Sequence, residues 1–531
     1  MRMSFLAPWM ALFFILTTLG FGQTSVFAET SVLLVDEVGT AGVDPSADLL
    51  SVTLIHGPGQ SPHLRISFLS LRDQSLSVLG PSGLQNQTPE FVTISLQTIS
   101  ALKAPELLAS IDLNHVEGRF RVQAASAGME TKWWQNENDD DAIFLALSDD
   151  PSLKATAANP WTVKIETFAS GKGMADSAEA SFPADRDYQA NCAFVLHGNQ
   201  GLGYSDVFHG RSDDLEGSGF DETLQIHQNL NVPGNFHLSG TLQSSAEWSA
   251  NNGDPVDFNA WLAAGVTEGW AGMITSAYAQ HIMPFVNNDM NNWAVHTETD
   301  MISHRYGYQP TVGWVPERVW LNTSGYPSSG VNDWIGDNWQ NHGVNGVILD
   351  DDVHLLGHDN HRIHTLSGNG LRLIPRDRDF TGHIIGGNGQ SALNILTGLA
   401  GGGLGQYRIA VFAEDWEAAS EMGGWASIVP NAVETYEWMI SKCATESAWL
   451  STWKLSDALS NGDFAGDTVV INPGTYWEIG GTDGYVVGTM AGTITGRAGC
   501  LLPTVEMAVA VVPAGATAKT TALSGTMLTE H

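Results

Sequence analysis

The chain has 531 residues, and its 58 acidic against 23 basic side chains leave a net charge of −35 although only 15% of residues are charged. That length holds two or more domains with ample core. The charge repels nucleic acid and anionic lipid, which excludes both as partners and suits a neutral substrate.

The chain opens with a targeting pattern. Arg2 precedes an apolar run from Phe5 to about Phe21, and Val26-Phe27-Ala28 is a small-x-Ala cleavage site. Residues 1–28 read as a signal peptide cleaved after Ala28, with an uncleaved anchor helix as the alternative. No later apolar run is long enough to span a bilayer, so the mature protein is expected to be periplasmic or secreted and free of the membrane.

Residues 29–188 predict a β-sandwich-like domain. Runs at 50–55, 63–68, 91–96, 119–122 and 161–165 alternate with period two or are rich in β-branched residues, and turn-rich stretches separate them. Trp133-Trp134 stands before the acidic run Asp139–Asp141. The pair reads as core tryptophans beside a solvated turn rather than as a sugar platform beside a calcium loop. The spacing is not that of an EF-hand.

Near residue 190 the pattern changes. Ala193-Phe194-Val195-Leu196 is a continuous apolar run that ends in His197-Gly198-Asn199-Gln200. Strand-like runs then alternate with helical stretches. They end at Tyr278-Ala279-Gln280-His281, Gly313-Trp314-Val315-Pro316-Glu317-Arg318, Asp350-Asp351-Asp352 and Glu414-Asp415. Strands that deliver His, Glu and Asp at their C-terminal ends predict a β/α barrel with its site on that rim. Asp350 and Asp351, ending one strand, are candidates for the cleft lining.

Glu317 and Asp415 stand out because each follows an apolar run and adjoins a tryptophan, Trp314 or Trp416. Glycoside hydrolysis needs such a pair, one carboxylate as nucleophile and the other as acid and then base. Flanking indoles would stack on a sugar ring. Arg318 would keep Glu317 ionised, and apolar surroundings would keep Asp415 protonated. Glu417 is the rival acid.

At these residues the chain resembles glycoside hydrolase family 57, retaining α-glucan-active enzymes on an incomplete (β/α)7 barrel. His197-Gly198-Asn199-Gln200 is similar to the family's first motif, with Asn199 where the second His usually stands. Tyr278-Ala279-Gln280-His281 falls at the second. Gly313–Arg318 looks like the third, which carries the nucleophile, and Asp415-Trp416-Glu417 like the fourth, which carries the acid/base. The resemblance covers roughly residues 190–485. It implies catalysis by Glu317 and Asp415 without metal or cofactor, and substrate binding by His197, Gln200, His281, Trp314, Arg318, Asp351 and Trp416.

Other features are expected to be structural. Cys192 and Cys443, the plausible pair among Cys192, Cys443 and Cys500, read as buried free thiols. His354, His358, His361 and His364 read as a surface loop rather than a metal site. Gly401–Gly405 lacks the Lys-Ser/Thr ending of a phosphate loop and reads as a connection. From Val486 the chain turns to Val, Ala, Thr and Gly, so 486–531 reads as an unstructured low-complexity tail or as the product of a frame slip.

The expected architecture is therefore multidomain β plus α/β: a β-sandwich at 29–188, then a distorted (β/α)7 barrel at 189–485. The expected substrate is a polysaccharide or oligosaccharide, with an α-glycosidic bond of an α-glucan hydrolysed or transferred. The competing classes are a metal-dependent polysaccharide deacetylase-type barrel enzyme and a catalytically silent glycan-binding protein.

Overall fold

The computed structural model describes strand segments between residues 29 and 182, then mainly 187–199, 219–252, 256–320, 334–422 and 425–472. The chain divides into two compact units, one drawn mainly from residues before Asp185 and the other mainly from Arg186 onward.

The described residues of the first unit are strands in two five-stranded sheets. One sheet runs Gly173–Phe182, Trp161–Ala169, Phe91–Thr98, Leu107–Val116, Arg119–Ala125, antiparallel throughout. The other runs Glu29–Val35, Leu49–His56, His63–Phe68, Asp139–Ala146, Trp133–Asn136. The acidic run is neither turn nor calcium loop. It opens the strand Asp139–Ala146, and Asn136 pairs with Asp139 across a tight hairpin.

The second unit holds a partial β/α barrel. Its parallel strands are β1 (Ala190–Gly198), β2 (Gly234–Leu238), β3 (Ala271–Met273), β4 (Val312–Trp314), β5 (Gly346–Asp350), β6 (Arg372–Arg376) and β7 (Ala410–Asp415). One sheet takes the order β3-β2-β1-β7, and another begins β4-β5-β6. The two meet at a parallel bridge from Thr275 to Gly313. Opposite, the Asp377 amide donates to the Val411 carbonyl at 3.0 Å, linking the end of β6 to β7. Sequence reading missed β6, where Pro375 in the run Arg-Leu-Ile-Pro-Arg argues against a central strand.

Parity decides which side chains meet inside. Successive residues of a strand point to opposite faces. Ala193 and Val195 of β1, Val312 and Trp314 of β4, Ile348 of β5, Ile374 of β6 and Val411 and Ala413 of β7 share one buried apolar cluster. Two residues further along the same face stand His197, Asp350, Arg376 and Asp415. The outward face carries Phe194 and Phe412, which pack with Phe380 and Tyr436 of the surrounding helices. Gly313 has its own reason: a Cβ there would come within 2.8 Å of the Trp339 ring.

No described helix is long and apolar enough to cross a membrane. Beyond Gly474 only Val486–Val487 and Val511–Val512 are described, paired antiparallel with each other. The expectation for 486–531 otherwise lies outside the described residues.

Candidate active site

The rim of the barrel opens into a cavity of about 200 Å³ lined by His197, Asn199, Trp314, Glu317, Arg318, Asp415 and Glu417. Strand register builds it. His197 of β1 pairs with Asp415 of β7 on one side and with His237 of β2 on the other, so the three side chains stand abreast. Glu317 arrives from β4 by a different route. Val315 is extended ahead of Pro316, as the residue before proline must be, and a single 3-10 turn follows. Within that turn Glu317 (φ 49°) and Arg318 (φ 41°) are both left-handed, a conformation costing side-chain-bearing residues on the order of 1–2 kcal/mol each. Two consecutive strained residues at a cleft are the kind of backbone that function retains.

Trp314 lines the cavity but offers no open face, being 1% exposed. His197 stacks on it at 4.2 Å between centroids, and the Arg318 guanidinium lies 5.3 Å from its centroid. Its role is to support His197, not to carry a sugar ring. On its other side His197 stacks with His237 at 4.7 Å, and His237 Nε2 bonds Glu298 Oε1 at 2.9 Å in full burial. Burial, reinforced by His237 and Arg318, holds the His197 imidazole well below its usual pKa, so it is neutral.

Arg318 does not simply neutralise Glu317 beside it. Its Nε donates to Asp350 Oδ2 at 2.9 Å, and both groups are buried. Asp350 Oδ1 lies 3.7 Å from Arg376, whose Nη2 pairs with Glu414 Oε2 at 2.7 Å. Glu414 Oε1 accepts from the amide of Asp415 at 3.0 Å. A chain of alternating charge thus ties the strand that delivers Glu317 to the strand that delivers Asp415. Burial pushes the Asp350 carboxyl up, but Arg318 and Arg376 outweigh it and hold the group below the usual range.

The carboxyl groups at the end of β7 and in the short helix that follows it behave oppositely. Burial first, then Glu414 and Glu317, raise Asp415 to about 7 against the lowering pull of Arg318 and Arg376. Burial and Asp415 raise Glu417 to about 8. Both are half-buried and line the cavity. Adjacent acids share protons as a pair, so the cleft carries a proton donor near neutral pH.

The other expected site residues stand apart or outside. Trp416 is fully buried, stacked on Phe220 at 4.5 Å with its Nε1 donating to Thr223 Oγ1 at 2.6 Å, so it is core and not cleft wall. His281 bonds Asn291 Oδ1 at 2.7 Å and is not among the cavity-lining residues. Asp351 accepts from the Asp352 amide at 2.8 Å and also lies off the cavity; burial, Asp377 and Asp352 raise it to about 6. Gln200 lies outside the described residues.

The histidine stretch is a surface loop only in part: His354 and His364 are fully buried, whereas His358 is exposed. His354 Nδ1 accepts from the Asp350 amide at 3.2 Å, helping to hold that residue. Among the described residues, His358, His364 and Asp467 alone bring three metal-type donor atoms together. They lie off the cavity, and both His364 nitrogens already bond the protein, to the Asp359 carbonyl and the Asp467 amide.

Arg376, His237 and Glu298 are the residues that sequence reading missed. Arg376 ends an apolar run as the other rim residues do, a signal hidden by Pro375. Glu298 lies mid-helix in Asn288–Tyr306, where nothing in the sequence separates it from a solvated face.

No protein-family model matches the chain, and no curated protein does. The chain is similar in structure to a 4-alpha-glucanotransferase from Thermococcus litoralis, at 17% identity and a TM-score of 0.45 over 55% of this chain and 43% of that one. It therefore spans less than half of that protein's length. It is also similar to a GH57 branching enzyme from Thermococcus kodakaraensis, at 11% identity and a TM-score of 0.41 over 54% of this chain and 74% of that one. A third similarity is to a family 4 carbohydrate esterase from Streptomyces lividans, at 10% identity and a TM-score of 0.28 over 51% of this chain and 95% of that one. These likenesses are too distant to assign an activity.

Proposed function

We propose that the chain is an exported enzyme that hydrolyses or transfers α-glycosidic bonds of an α-glucan by a retaining two-carboxylate mechanism. In this reading the first unit is a β-sandwich and residues 189–485 form a distorted (β/α)7 barrel. The observation that carries it is the cavity itself: carboxyl groups from the ends of two different strands share one cleft, and one of them, Asp415, keeps its proton near neutrality. Glu317 attacks the anomeric carbon, and Asp415 protonates the leaving oxygen. Asp415 then takes a proton from the water or sugar hydroxyl that releases the glycosyl group. Retention needs the two carboxyl groups to work about 5–5.5 Å apart across the bond. In this reading neutral His197 and Asn199, which line the cavity, hydrogen-bond the sugar, and Arg318 holds the nucleophile's turn. The choice of an α-glucan rests on the motifs at Gly313–Arg318 and Asp415–Glu417.

The test is product analysis of the purified protein on amylose and on branched α-glucans. The parent is expected to release or transfer glucosyl units. Glu317→Gln and Asp415→Asn are each expected to lose about 10²–10⁴-fold in kcat. Near-parent activity in both variants would overturn the assignment, and binding without any product in the parent would favour a silent glycan-binding protein.

A further inference from the structure

Cys192 lies in β1, the strand that carries His197, and Cys443 lies in the helix Ala432–Thr445 that packs outside the barrel. They are 251 positions apart in sequence, yet their sulfur atoms face each other at 3.7 Å in the core. Cys192 is fully buried and Cys443 is 3% exposed. The separation exceeds an S–S bond of about 2.05 Å, so both thiols stand free in this structure and must approach for a bond to form. No other described sulfur competes, since Cys500 lies outside the described residues.

We propose that Cys192 and Cys443 are a disulfide-forming pair that closes while the chain folds and then staples β1 to the helix Ala432–Thr445. The reactant is a disulfide oxidant, small-molecule or protein. One cysteine thiolate attacks it, forming a mixed disulfide and releasing one reductant thiol. The second cysteine attacks the mixed disulfide, the Cys192–Cys443 bond forms and the other reductant thiol leaves. Two protons and two electrons pass from the pair to the oxidant.

Timing follows from burial. The thiolate is the reactive form, and burial, reinforced by Cys443, pushes the Cys192 thiol well up. In the folded protein the pair is therefore out of reach of oxidant and reductant alike. The bond forms only when the chain folds in an oxidising compartment, and the folded molecule retains whichever state it was given. A crosslink enclosing so long a loop restricts the unfolded chain strongly, so the closed form is the more stable one.

The test uses the full chain carrying Cys500→Ser, so that no other pairing is possible, produced once in an oxidising and once in a reducing compartment. Each sample is denatured in excess maleimide without reductant, and its intact mass is read. The expected result is no maleimide on the oxidised sample and two on the reduced one. The oxidised protein should also melt several degrees higher. Reductant should abolish that difference only after unfolding. Adding Cys443→Ser should make protein from the two compartments indistinguishable in melting temperature. Two maleimides on protein from the oxidising compartment would overturn the proposal, as would a bond that reductant opens rapidly in the folded state. Neither outcome depends on glycosidic activity, so this inference and the proposed function fail separately.

Discussion

Asp415 fixes the expected pH behaviour. A general acid must hold its proton, so activity on substrates with poor leaving groups should fall as pH rises through about 7. Glu414 is the largest electrostatic contributor to that raised value after burial. Glu414→Gln removes the like charge and frees Arg376, both of which favour ionised Asp415. The basic limb of the kcat/KM profile should then move to lower pH, by roughly 0.5–1 unit; an unmoved limb would show that Asp415 is not the titrating acid. Asp350 works in the other direction. Its folded pKa is depressed, so its contribution to stability is present above its unfolded pKa and lost as pH falls through the folded one. Asp350→Asn would leave Arg318 and Arg376 buried without their shared counter-ion. We expect a loss of about 3–5 kcal/mol in urea unfolding at neutral pH, and a loss under 1 kcal/mol would contradict the network.

Elements explain which tryptophans matter. Trp416 begins a short helix directly after β7, and the chain's turn at Asp415 swings the indole under Phe220, Phe236 and Phe258. Trp416→Ala should therefore cost about 3–5 kcal/mol of stability with little change in KM for the folded fraction; a sugar platform would show the reverse. The helix Asn288–Tyr306 carries Glu298 to His237 and is capped by Asn287, whose Oδ1 accepts from the Met290 amide at 2.8 Å. Asn287→Ala should lower stability by about 1 kcal/mol, measured by thermal unfolding. The strand ends were legible because an apolar run that stops at His, Glu or Asp is a local pattern. The destinations of Trp416 and Trp314 were not, because adjacency in sequence says nothing about which way a turn sends a side chain. The ion pairs of Arg318 were equally hidden, since its partner Asp350 arrives from a different strand and its nearest acid in sequence is Glu317.

On the scale of the whole molecule, the alternation of strand and helix after residue 190 is enough to anticipate a β/α barrel, because each strand buries both faces and reads as a continuous apolar run. The missing strand, β6, carries a proline and two arginines, and only its neighbours β5 and β7 make it a barrel strand. The same long-range contacts bring His197, Glu317 and Asp415 to one cavity from positions 218 residues apart in the extreme. The central claim is that Glu317 attacks from one face of the sugar while Asp415 serves the leaving group on the other. It is tested most directly by the anomeric configuration of glycosyl azide formed by the two alanine variants from an α-glycoside with a very good leaving group. Glu317→Ala should be rescued by azide with the inverted β product, because the small anion occupies the vacated face. Asp415→Ala should still form the covalent intermediate and release the retained α product. Opposite configurations would exchange the two roles, and parent-like turnover by both variants without azide would contradict the account.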